Sequence, residues 1–141
     1  MLKNFMKSDG SFTTLLIRLM VGAVFLSEGI QKFLFPAVRG AGRFEKIGLP
    51  SPELLGSFVG ATEIISGILL LIGLFTRLAA IPTLIIMMVA IYSTKWPILT
   101  DQGLWEMLHA ARTDWSMLIG SLFLIIKGGG YASADQFISR R

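Results

Sequence analysis

The sequence has no cysteine and a single histidine, and only 16% of its 141 residues are charged, against about 25% in ordinary soluble domains. The missing thiols exclude a disulfide framework, a persulfide carrier on this chain and any thiolate-ligated zinc or iron–sulfur centre. One histidine among scattered carboxylates makes no ligand pattern, so no metal site is expected. The scarcity of charge is also positional. Four apolar stretches, at 13–35, 54–75, 78–94 and 115–126, hold only Arg18, Glu28, Lys32 and Glu63. With 53% hydrophobic residues and a mean hydropathy of +0.69, the composition excludes a disordered tail and argues against a soluble enzyme. What remains is an all-α polytopic membrane protein, a single domain over 1–141 built as an antiparallel bundle of four transmembrane helices. The net charge of +4 sits on cations that flank apolar segments, where anionic headgroups rather than nucleic acid are the expected partner.

The expected spans are 13–35, 53–75, 78–94 and 108–127, with a polar hinge at 36–52. Lys3 and Lys7 before the first apolar run mimic a signal peptide, but the run is too long and lacks a small-residue cleavage site, so it reads as a retained span. Pro36 stops that span, and Phe44 and Ile47 suit an amphipathic interfacial helix in the hinge. Ser51-Pro52-Glu53 is a helix-start signal: N-cap serine, proline at the first helical position, an acid in the first turn. Thr76-Arg77 is so short a link that spans two and three must form a tight hairpin. Pro82 is expected one turn into span three, where its missing N–H costs little. Trp96, Trp105 and Trp115 suit an interfacial aromatic belt. The last apolar run reaches spanning length only if extended back to Leu108, which draws His109, Arg112 and Asp114 into the helix. Lysine and arginine divide almost evenly between the two sides, counting Arg140 and Arg141 with the termini; both termini are expected on the same, cytoplasmic, face.

On a helical wheel Arg18, Gly22, Phe25, Gly29 and Lys32 share one stripe of span one, and Gly56, Gly60, Glu63 and Gly67 share one of span two. Glycines so spaced let backbones approach closely where lipid supplies no hydrophobic drive. Glu28 precedes Lys32 by one turn and can pair with it. Along their helices Glu28 lies about 22 Å from Thr13 and Glu63 about 20 Å from Thr76, which puts both at similar depth in the half of the membrane nearer the hinge and the third loop. His109 and Asp114 approach from the same side as Lys32. A carboxylate at such depth is costly and marks function by default, so Glu63 is the candidate catalytic group and Glu28, Lys32, Glu63, His109 and Asp114 the candidate ligand set. The plainer reading also stands: the Glu28–Lys32 pair serves a snorkelling lysine and Glu63 locks helix register. Arg18 and Arg77 are expected to anchor at the interfaces, and the glycines to pack.

At these residues the chain resembles the DoxX family of small bacterial membrane proteins. The match rests on Arg18-Leu19-Met20-Val21-Gly22 with Phe25, Gly29 and Lys32, then Gly48-Leu49-Pro50 in the hinge. It continues through Glu63, Gly67, Leu70, Gly73, Thr76 and Arg77 to Asp114, Ser116 and Gly120, and closes on Gly129-Gly130-Tyr131-Ala132-Ser133-Ala134-Asp135. Glu28 stands where many members carry histidine, so no ligating histidine is carried over to this position. The resemblance implies four transmembrane helices in the bacterial cytoplasmic membrane. Some relatives are described as membrane subunits of quinone-linked oxidoreductases, such as thiosulfate:quinone oxidoreductase.

Three readings stay open at this stage. The first is a membrane subunit of a redox complex that binds a small lipophilic ligand such as a quinone, with Glu63 moving a proton, Lys32 as carbonyl or anion partner and Glu28 as its counter-ion. Electrons would then come from a flavin or metal partner. The second is a non-enzymatic assembly protein that recruits another membrane protein or a second copy of itself. The third is a small oligomeric transporter with Glu63 on a polar path.

Overall fold

The computed structural model describes residues 1–140; Arg141, counted above among the cations, lies outside the described residues. The described residues form helices joined by turns, with no strand. Three helices are long and apolar enough to cross a membrane: Phe12–Leu34, Pro52–Ile72 and a continuous Thr76–Gln102 of 23, 21 and 27 residues. In chain order the elements are α1 (Leu2–Phe5), α2 (Phe12–Leu34), α3 (Pro36–Arg39), α4 (Ala41–Lys46), α5 (Pro52–Ile72) and α6 (Thr76–Ala90). A π-helical turn (Ile91–Lys95) then leads without a break into α7 (Trp96–Gln102), followed by α8 (Leu104–Ala110), α9 (Arg112–Lys127) and α10 (Ala134–Ser139). α2 packs on α5, α5 on α6, α6 on α9, and α9 back on α2.

The α2–α5 contact follows from the glycine stripes. Arg18, Gly22, Phe25 and Gly29 of α2 are buried, as are Gly56, Gly60, Glu63 and Gly67 of α5. A Cβ on Gly29 would lie 2.8 Å from the Gly60 carbonyl oxygen, and one on Gly67 only 2.6 Å from the Leu26 nitrogen. The helices therefore meet backbone to backbone, where any side chain would force them apart. Gly22 faces Leu71 in the same way, and Gly56 admits Ala41 so that α4 rests on α5. Phe44 of α4 is turned inward and buried.

The end at which α5 turns into α6 is held by a polar lattice. Gly73 and Phe75 adopt left-handed conformations, φ 73° and 49°, which Gly73 accepts freely and Phe75 does not. Asp135, fully buried at the start of α10, holds this turn: its carboxylate accepts from Phe75 N at 2.7 Å and Thr76 N at 2.9 Å, two orphan donors at the start of α6. The Asp135 N–H in turn donates to the Gly73 carbonyl at 2.9 Å. Arg18, 1% exposed, is no interfacial anchor; its Nη2 donates to the Ala132 carbonyl at 3.1 Å, and a Cβ at Gly73 would overlap its guanidinium. Arg77 donates to the Lys7 and Ile125 carbonyls, so it ties the N-terminal segment to the last turn of α9.

Four features differ from the sequence expectation. The third span begins at Thr76, not Leu78, and runs through the expected loop to Gln102. Pro82 is thus in the helix interior. The helix passes Pro97, which has no N–H to donate, by widening into the π turn just before it; Ser93 and Thr94 donate their hydroxyls to the Val89 and Ala90 carbonyls there. The expected fourth span, 108–127, is interrupted at Ala111 between α8 and α9. The 16 residues of α9 reach about 24 Å, short of a hydrocarbon core of about 30 Å. Ser51 does precede Pro52 at the start of α5, but with φ 46° and no side-chain cap bond.

Two outcomes test these contacts. Gly29→Leu or Gly67→Leu is expected to destabilise the protein by ~1–3 kcal/mol through overpacking, seen as a lower denaturation midpoint in detergent, while Ile30→Leu on the exposed face of α2 is neutral. Asp135→Ala, which strands two backbone donors, is expected to cost ~1–3 kcal/mol in the same measurement.

Candidate functional site

At the opposite end of the helices a cavity of about 620 Å³ opens between α2, α4, α5, the end of α6 with its π turn, and α9. Phe25, Val59, Ile86 and Met117 are among its apolar walls. Its polar lining comprises Glu28 and Lys32 from α2, Glu63 from α5, Lys95 from the π turn and Asp114 from α9, with Arg39 and Arg43 from the hinge. A second hollow of similar volume lies open over the hinge between Pro36 and Leu54, and its two carboxylates, Glu45 and Glu53, are exposed.

Two ion pairs stand in the cavity wall. Lys32 Nζ lies 2.8 Å from Glu63 Oε2, with the side chains 11% and 3% exposed. Lys95 Nζ lies 3.0 Å from Asp114 Oδ2. The first pair corrects the expectation that Glu28 is the counter-ion of Lys32. The glycine contact brings α5 so close that Glu63 reaches the ammonium across the interface, and among the described residues Glu28 makes no ion pair. The buried Glu63 and the partly buried Asp114 thereby each have a cation, which offsets the cost of taking a charge out of water. Asp114 also sits in the first turn of α9, where the helix dipole favours an anion.

The structure thus gathers four of the five candidate ligand residues, Glu28, Lys32, Glu63 and Asp114, around one cavity. His109 is left out: it is exposed on α8 beyond the break at Ala111, and its carbonyl accepts from Arg112 Nη1 at 2.6 Å. No group of three metal-ligating side chains occurs among the described residues. Sequence reasoning did not single out Lys95, Arg39 or Arg43. The signal available for Lys95 was its place two residues before Pro97, where a helix must alter its register; the hinge arginines carried none until the hinge folded over the cavity.

A buried carboxylate paired to lysine at a glycine-mediated helix contact, with Arg18, Thr76 and Asp135 locking the far end, puts the residues of the resemblance into one structure. The DoxX family profile matches residues 13–96. The chain belongs to the DoxX family. An uncharacterised membrane protein of Mycobacterium tuberculosis, Rv3486, is 48% identical over 140 residues, covering 95% of this chain and 86% of that protein. A Bacillus subtilis protein named "Putative oxidoreductase CatD" is 29% identical over 126 residues, covering 89% of this chain and 86% of its own length. No solved structure matches the chain. This DoxX protein is accordingly a membrane protein, and its long apolar helices sit in a lipid bilayer.

The pair makes its own prediction. Lys32→Met leaves the Glu63 carboxylate buried and alone, which is expected to cost ~3–5 kcal/mol, whereas the double variant K32M/E63M, with an apolar pair in the same space, recovers most of that loss. Denaturant unfolding of the purified protein in detergent measures both.

Proposed function

We propose that this DoxX protein is the membrane subunit of a redox-linked complex and binds a small lipophilic ligand, a quinone, in the cavity beside Lys32 and Glu63. One observation carries the reading: a charged, mutually neutralised pair forms part of the wall of an otherwise largely apolar cavity within the membrane-crossing helices. An apolar pocket with a few convergent polar groups is the usual form of a small-molecule site, and intramembrane ionisable groups mark such sites. The printed name of the Bacillus subtilis relative, an oxidoreductase, lends a second support.

In this reading the Lys32 ammonium donates a hydrogen bond to a quinone carbonyl. The Glu63 carboxylate, once it has taken up a proton delivered through Glu28, passes that proton to the oxygen as it gains electron density. Reduction to the quinol takes two electrons and two protons. The electrons are supplied by a redox partner protein carrying a flavin or metal centre, and the unpaired Glu28 carboxylate at the same cavity relays protons from the aqueous side. The same proposal takes α8 and α9 together as a fourth crossing, which completes an antiparallel four-helix bundle as one domain in the bacterial cytoplasmic membrane, with both termini cytoplasmic. Trp105 and Trp115, both exposed on these helices, suit interfacial positions.

The test is retention of quinone through purification. The wild-type protein, extracted in mild detergent, is expected to carry near-stoichiometric quinone by mass spectrometry, and K32M/E63M, which keeps the helix contact, at least about tenfold less. Equal quinone in both proteins, or none in the wild type, would sink the proposal.

A further inference from the structure

The hinge between α2 and α5 does more than connect them. Val38, Phe44, Ile47 and Leu49 lie in the cavity wall beside Arg39 and Arg43, so this amphipathic segment roofs the cavity with its apolar side and sets two guanidiniums in the same lining. Both arginines are exposed, and neither guanidinium makes a hydrogen bond or ion pair with any described residue. The carboxylates facing them do not change the balance: Glu63 and Asp114 are each neutralised by a lysine, and Glu28 alone opposes two arginines. The roof also has a definite depth. Lys95 lines the same cavity and is followed by the exposed Trp96, and tryptophan beside lysine at the end of an apolar stretch marks the headgroup level.

We propose that Arg39 and Arg43 form a binding site for the phosphate of an anionic phospholipid, whose acyl chain lies against the apolar cavity wall below. Guanidinium groups recognise phosphate oxygens with paired N–H donors, and two of them leave a surplus of positive charge that a zwitterionic headgroup, with its own ammonium, does not match. The apolar residues next to the arginines fit the part of a lipid that a free anion lacks. This site lies at the roof, above the Lys32–Glu63 pair, and stands whether or not a quinone occupies the cavity.

Native mass spectrometry of the full-length protein in detergent, offered phosphatidylglycerol or phosphatidylcholine at equal concentration, tests it. The wild type is expected to retain phosphatidylglycerol over phosphatidylcholine by about tenfold, since each interfacial cation contributes appreciably to anionic-lipid binding. R39Q/R43Q should bring that ratio to within about twofold of unity. K46Q removes a cation from the same short helix outside the cavity lining and should leave the ratio unchanged. R39K/R43K, which keeps charge but loses the paired donors, should fall between. A ratio that survives R39Q/R43Q, or falls equally in K46Q, overturns the site as one of general charge. Displacement of the lipid by glycerol 3-phosphate as readily as by added phosphatidylglycerol overturns it too, because the apolar wall would then contribute nothing. The readout contains no quinone, so its failure and that of the quinone reading are separate results.

Discussion

The distance at which α2 and α5 can approach sets the rest of this molecule. In lipid no hydrophobic force drives helices together, and association depends on packing and on polar contacts made at close range. Gly22, Gly29, Gly60 and Gly67 remove the side chains that would hold the two backbones apart. Lys32 then comes within 2.8 Å of Glu63. A carboxylate and an ammonium that would each be expensive in hydrocarbon become a neutral unit, and that unit forms part of the cavity wall.

The two ends of the helices use the same chemistry to opposite effect. At the α5–α6 turn the charged side chains bond to backbone: Asp135 to Phe75 and Thr76, Arg18 to Ala132, Arg77 to Lys7 and Ile125. These bonds tie the turn to α10 and to the N-terminal segment. At the cavity end the charges pair side chain to side chain, Lys32 with Glu63 and Lys95 with Asp114, around a space that they line without filling. Side-chain pairs can exchange partners with an incoming polar group in a way that capped backbone cannot.

Much of this was legible in the residues, for reasons that can be stated one by one. The stripes of glycine follow helical periodicity, so the face that α2 and α5 share could be read from spacing alone, and so could the tight α5–α6 link. The extent of the third long helix could not, because the stretch from Lys95 to Gln102, with its charges and Pro97, reads as loop unless the chain is known to continue through a π turn. Pro97 was visible, but a proline alone does not say whether the helix ends there or, as here, continues after a π turn over Ile91–Lys95. Ser51 kept its position at a helix start yet makes no cap bond, because its backbone is left-handed there.

What the sequence determined by itself was the solvent: four apolar stretches with four charged residues among them require lipid, and three of those four, Glu28, Lys32 and Glu63, were placed at one depth by counting along their helices. What only the tertiary structure decided was partnership. An i,i+4 spacing proposes Glu28 for Lys32, since spacing reports neighbours within one helix; the closer partner came from a second helix, 31 residues further along the chain. The roles of Lys95, Arg39 and Arg43 in the cavity and the exclusion of His109 have the same cause. They depend on where a π turn, a hinge and a helix break point in space, and sequence distance along separate elements carries no information about that.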